Sequence, residues 1–178
     1  GYIKKTVSGD VMNIKKVSVD KEGTGMGWGA VYAQYLESMD QISGQGNGLS
    51  VSRQLYKGDE ALNESAPLKV GDKITVRLTV KADRDMDFVQ IKDDRAACME
   101  PLQAVSGFRW SNGLGYYQAT KDASTQFFID QMRKGTYVIE YQVYVNRTGE
   151  YQAGIATVQS AYAPEFGGHT GGYRVMVE

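Results

Sequence analysis

From Tyr137 to Val145 every second residue is large and apolar (Tyr137, Ile139, Tyr141, Val143, Val145), while Glu140, Gln142 and Asn146 hold the alternate phase. A period of two is the mark of a half-buried strand. The alternation is cleaner still over 73–81. There Ile74, Val76, Leu78 and Val80 share one face and Lys73, Thr75, Arg77, Thr79 and Lys81 the other, which predicts one side on the core and one in water. Shorter runs predict strands over 49–56, 87–93, 125–130, 151–162 and 173–177, and over 15–20 and 28–36 nearer the start.

The breaks between these runs are as informative. Asn146, Arg147, Thr148 and Gly149 supply a turn, since Asn and Gly tolerate positive φ, so 137–145 and 151–162 are expected to pair as a long hairpin. Pro164 ends it, having no N–H to donate. Ser43 to Gly48 (S-G-Q-G-N-G) reads as a flexible polar link between a flanking β segment, 1–45, and a main domain, 46–178. The flank either adds strands to the main domain or ends a preceding one; orphaned strands would expose sheet edges. Residues 59–67 read as a polar loop, and 103–121 as a long aromatic loop with one short strand. Eight to ten strands with turns every ten or so residues predict an all-β, antiparallel, two-sheet β-sandwich.

Composition agrees with that class. The 178 residues include twelve Tyr and twenty-one Gly, as strands with Gly-rich turns require, and suffice for one buried core. Twenty basic against twenty-one acidic residues, with no basic stripe, argue against nucleic acid as a partner. Cys98 is the single cysteine, so no intrachain disulfide forms. There is no apolar run of spanning length, and the opening on Gly1 and Tyr2 is expected of a piece of a longer chain.

Candidate chemistry is sparse. His169, the sole histidine, would have to anchor any Ser/His/Asp or Cys/His pair, but it stands in a Gly-rich turn where an exposed or capped loop histidine is expected. Cys98 is expected to be a buried, inert thiol. Asp83, Asp85 and Asp87 resemble a calcium loop in spacing, yet the central Gly and terminal Glu of that motif are missing, so solvated carboxylates are expected, with Lys81 and Arg84 balancing them. No cofactor, metal or catalytic residue is assigned, and the chain is not expected to be an enzyme. Trp110, Tyr116 and Tyr117 are the candidate contact residues: such rings stack on sugars, dock a neighbouring domain, or plug one end of a sandwich.

The run G-T-Y, E-Y and then T-G-E-Y-Q-A-G-I-A-T-V-Q-S-A-Y-A-P-E-F-G-G-H-T, from Gly135 to Thr170, resembles the end of bacterial alpha-2-macroglobulins. The part resembled is the last macroglobulin-like domain, after the thioester domain, and the likeness covers about 49–172. It implies a macroglobulin- or immunoglobulin-like sandwich. It also implies a non-catalytic role in a protease-trapping parent, exported to the periplasm or cell surface. The partners implied are the thioester-like and macroglobulin-like domains beside it and the proteases trapped. Relatives place Gly in the turn that here contains Cys98, and their thioester needs a Cys-Gly-Glu-Gln run, whereas Met99, Glu100 and Pro101 follow here. In thioester-bearing relatives the last domain shields the thioester, which would turn Trp110, Tyr116 and Tyr117 toward the neighbour. The other functional expectation is a carbohydrate- or cell-surface-binding sandwich: a groove floored by Trp110 and Tyr117 would favour sugar, a flat apolar patch a domain interface.

Overall fold

The computed structural model describes residues 2–9, 13–63 and 66–178, the side chain of Asp40 excepted. They fall into two units, Gly1–Tyr35 and Leu36–Glu178. In the first, no described residue lies in a strand and every described side chain is exposed. The strands expected over 15–20 and 28–36 are therefore absent. Alternation determines which side chains would share a face, but a strand also needs a neighbouring ladder for its amides and carbonyls.

The second unit is an antiparallel sandwich, entered through a short 3-10 helix, Met39–Gln41. Its strands are β1 Gln45–Asn47, β2 Leu49–Lys57, β3 Glu60–Ala61, β4 Lys73–Ala82, β5 Met86–Asp94, β6 Met99–Pro101 and β7 Gly107–Ser111. Then follow β8 Leu114–Thr120, β9 Ser124–Met132, β10 Gly135–Val145, β11 Gly149–Ala153, β12 Ala156–Ser160, β13 Gly167–His169 and β14 Tyr173–Val177. Hydrogen bonding runs β6-β10-β4-β2-β1-β13-β12-β5-β9-β8-β7, with β3 on β2 and with β11 and β14 as a separate pair. Two layers result, β6-β10-β4-β2 and β12-β5-β9-β8-β7, joined through short β1 and β13.

The core lies where the alternation predicts. Ile74, Val76, Leu78 and Val80 of β4 and Ile139, Tyr141, Val143 and Val145 of β10 turn inward against Val89 and Ile91 of β5 and Phe127 and Ile129 of β9. Two pairings differ from the sequence reading. β10 pairs with β4 and β6, not with the strand after it; β11 pairs with β14, and β12 with β5 and β13. The turn at 146–149 thus carries the chain across the sandwich, held by the Asn146 amide donating to Cys98 O at 2.9 Å. The run 151–162 is also split in two. At the break a side chain on Gly154 would come within 2.3 Å of Asp94 Cβ, so only glycine fits.

The glycines read as a link contain β1, which pairs with β13. They are packing glycines: a Cβ on Gly46 would stand 2.6 Å from the Leu49 carbonyl oxygen, and one on the facing Gly168 2.7 Å from the carbonyl oxygens of Gln45 and Leu49. The expected aromatic loop over 103–121 is instead the hairpin of β7 and β8, turned by Asn112 and Gly113 at φ 50° and 78°. Two successive positive φ values define the type I′ turn that Asn-Gly favours.

Candidate functional site

Strand alternation divides the three candidate aromatics. Tyr116 points inward, 6 % exposed, its ring edge-on to Phe127 at 5.6 Å. Trp110 and Tyr117 point outward, 76 % and 37 % exposed. Because the Asn112–Gly113 turn sets the register, Tyr117 stands opposite Phe108 on β7 and opposite Phe128 on β9, and both are exposed too, at 79 % and 38 %. Phe108 meets Tyr117 edge to face at 5.2 Å. The Trp110 indole lies over Gly115, where a Cβ would touch the ring at 2.8 Å. The outer face of β7, β8 and β9 is thus a flat aromatic patch at the edge of the sheet, built from Phe108, Trp110, Tyr117 and Phe128.

Two of its rings were not singled out by sequence. Phe108 is two residues from Trp110 and so on its face once β7 is a strand, and the Asn-Gly pair signals that strand. Phe128 follows Phe127, and nothing local says which of the two turns inward.

The remaining candidates lie apart from this face. Cys98 is fully buried and burial pushes its thiol up, away from the reactive thiolate. Its backbone φ is not positive, so Cys replaces the relatives' Gly without strain in a turn closed by the Met99 amide on Ala96 O at 2.9 Å. His169 is on β13, with Nδ1 3.1 Å from Thr170 O. Asp83 pairs with Arg84 at 2.9 Å, the Asp85 carboxylate accepts the Lys134 amide at 2.7 Å, and Asp87 lies in β5 opposite Gln131. Among the described residues no cluster of three His, Cys, Asp or Glu side chains is placed to hold a metal.

The most polar feature of the interior is structural. Arg53 of β2 crosses to β5, where its Nη1 donates to the Asp93 carboxylate, while Nη2 donates to Gly154 O at 2.6 Å. Tyr141 of β10 donates to the other Asp93 oxygen at 2.7 Å, and the guanidinium lies 4.4 Å from the Tyr173 ring centroid. Burial pushes the Asp93 carboxyl up, and Arg53 and Tyr141 oppose the shift. The cluster ties β2, β5 and β10 and the break between β11 and β12 across the two layers.

The model of the bacterial alpha-2-macroglobulin MG10 domain matches residues 48–165, about two thirds of the chain. The chain belongs to this MG10 family. Solved structures of similar fold include Salmonella alpha-2-macroglobulin reacted with methylamine, at 20 % identity and a TM-score of 0.63 over 76 % of this chain and 10 % of that one. Escherichia coli alpha-2-macroglobulin activated by porcine elastase gives 16 % and 0.66, over 77 % of this chain and 14 % of that one. The Dictyostelium discoideum protein described as circularly permutated Ras protein 2 is 27 % identical over 166 residues, 89 % of this chain and 4 % of its own length. The MG10 domain described here thus spans a small fraction of the proteins it matches.

Proposed function

We propose that this MG10 domain is a non-catalytic packing domain of a larger alpha-2-macroglobulin-like protein, and that its aromatic patch seats a neighbouring domain of the same parent. The observation that carries this reading is the flat face formed by Phe108, Trp110, Tyr117 and Phe128. Phe108 and Trp110 alone, three-quarters exposed, offer roughly 300 Å² of ring surface, and Tyr117 and Phe128 extend it, the size of patch that on a monomer is often functional. The face is a sheet surface; the grooves of about 490 and 350 Å³ elsewhere on the domain are not lined by these rings. A flat patch fits a domain interface, whereas sugar stacking on the rings would ask for a groove.

In this reading the parent is exported, at the periplasm or cell surface, and confines proteases. The MG10 domain limits or transmits the rearrangement, and the segment ahead of the sandwich, none of whose described residues lies in a strand here, forms strands only by pairing with the preceding domain. The test replaces Phe108 and Trp110 together by Ser in the full-length parent. The sandwich should unfold at a denaturant midpoint only slightly lower, because both rings are outside the core and lose only their cross-strand contacts with Tyr117 and Gly115. The parent should lose protection of its last interdomain junction against limited proteolysis, and should confine less protease. An unchanged cleavage pattern together with unchanged confinement would refute the interface.

A further inference from the structure

A second site lies on the outer face of the same layer, at the end away from the aromatic rings. A shallow groove of about 350 Å³ runs over β1, β13 and β12. Gln45, His169 and Thr157 form one cross-strand row, and Asn47, Gly167 and Gln159 the next. Gly167, in the middle of its row, has no side chain, and that gap is the notch between two amides.

Those amides are held in fixed orientations. Asn47 Nδ2 donates to Glu165 O at 2.7 Å, and Gln159 Nε2 donates to Pro164 O at 3.2 Å. One N–H of each amide is thereby tied to the turn at 164–165, and the second N–H and the carbonyl oxygen are left side by side on either side of the notch. The His169 contact to Thr170 O takes a proton on Nδ1 and leaves Nε2 as the ring's other polar atom. The Thr157 hydroxyl donates to Lys92 O at 3.4 Å, which leaves its own lone pairs outward. No Asp, Glu, Lys or Arg lines the groove.

A wall of uncharged side chains that both donate and accept asks for an uncharged ligand that can do the same. The nearest charges, Lys92 opposite Thr157 and the Asp94 it pairs with at 3.0 Å, neutralise each other beside the groove, so neither an anion nor an ammonium group finds an unpaired partner. An apolar ligand would strand the acceptors at the cost of their hydration. A peptide strand spaces single donors and single acceptors along its backbone, whereas each side-chain amide here presents one of each side by side. A sugar, whose neighbouring hydroxyls donate and accept side by side, meets all these conditions. We propose that this groove binds a neutral oligosaccharide. The row continues through Gln90 of β5, opposite Gln159, so a longer sugar chain has a further amide ahead of it.

The test titrates the whole chain with cello-, malto- and chito-oligosaccharides, and with an acidic oligogalacturonate and an uncharged peptide as controls. At least one neutral sugar should bind, and it should shift the amide resonances of Gln159, Gly167 and Gly168 in wild-type protein. Asn47→Ala and Gln159→Ala should each weaken binding about three- to tenfold, as for loss of one neutral hydrogen bond. Thr157→Tyr, which lays a ring across the notch, should abolish it. The variant lacking the Phe108 and Trp110 rings should bind sugar as before, so this site and the domain interface stand or fall separately. The proposal is overturned if no neutral sugar binds at millimolar concentration, if the acidic sugar or the peptide binds better, or if the shifts map to Trp110 and Tyr117. Should a variant fail to fold, the wild-type resonance map decides.

Discussion

A guanidinium sealed inside a sandwich is tolerable only while its N–H groups are answered. Arg53 and Asp93, with side chains 5 % and 1 % exposed, are in that position. Arg53→Ala would leave Asp93 with Tyr141 alone and Gly154 O without its donor. The expected cost is about 3–5 kcal/mol, read as a lower urea midpoint. Arg53→Met with Asp93→Leu should recover part of it, since no charge is then stranded although Gly154 O and the Tyr141 hydroxyl still lack partners; a double variant as unstable as the single one would contradict this. The phenols beside the pair make a second prediction. Burial holds Tyr141 well above the ordinary phenol value and Tyr173 up to about 12. The unfolded chain releases those protons near about pH 10. Their contribution to stability is therefore whole below that pH and is lost as pH rises toward 12. The urea midpoint should fall across that window, and two tyrosines should ionise, by ultraviolet absorbance, only as the fold is lost. Ionisation of every tyrosine at the ordinary value in folded protein would contradict the placement.

At the scale of the element, the hairpin of β7 and β8 depends on its turn. Asn112 at φ 50° occupies a conformation that a β-branched residue adopts only under strain. Asn112→Val should cost about 1–2 kcal/mol, while Asn112→Gly should be close to neutral. The readout is the denaturant midpoint together with hydrogen exchange at β7, where the Val variant should exchange faster than the wild type. The turn also shows why the aromatic face was only partly legible. Trp110 and Tyr117 stand out in the sequence as rings among glycines, but without the register the segment reads as a loop, and Tyr116 cannot be told from Tyr117. One residue of slip exchanges the two faces of a strand.

At the scale of the whole molecule, the buried apolar core runs from Leu49 to Val177, and no described residue of the unit Gly1–Tyr35 is among its members. A chain shortened to Leu36–Glu178 should keep the denaturant midpoint and cooperativity of the full chain; a clear loss of either would assign the first 35 residues a part in the fold. Alternation alone placed β2, β4, β5, β9, β10 and β14, with the inward residues of β4 and β10, because the side-chain period of a strand is a local property. It also set the class, an all-β sandwich, and the run from Gly135 to Thr170 pointed to the macroglobulin family. Pairing is not local. Whether β10 meets the strand after it or β4, whether glycines 44, 46 and 48 make a link or a packed strand, and which rings share a face all depend on which chain segments come side by side. The buried Arg53, a charged residue in an otherwise alternating strand, takes its place only because Asp93, Tyr141 and Gly154 converge on it from distant parts of the sequence.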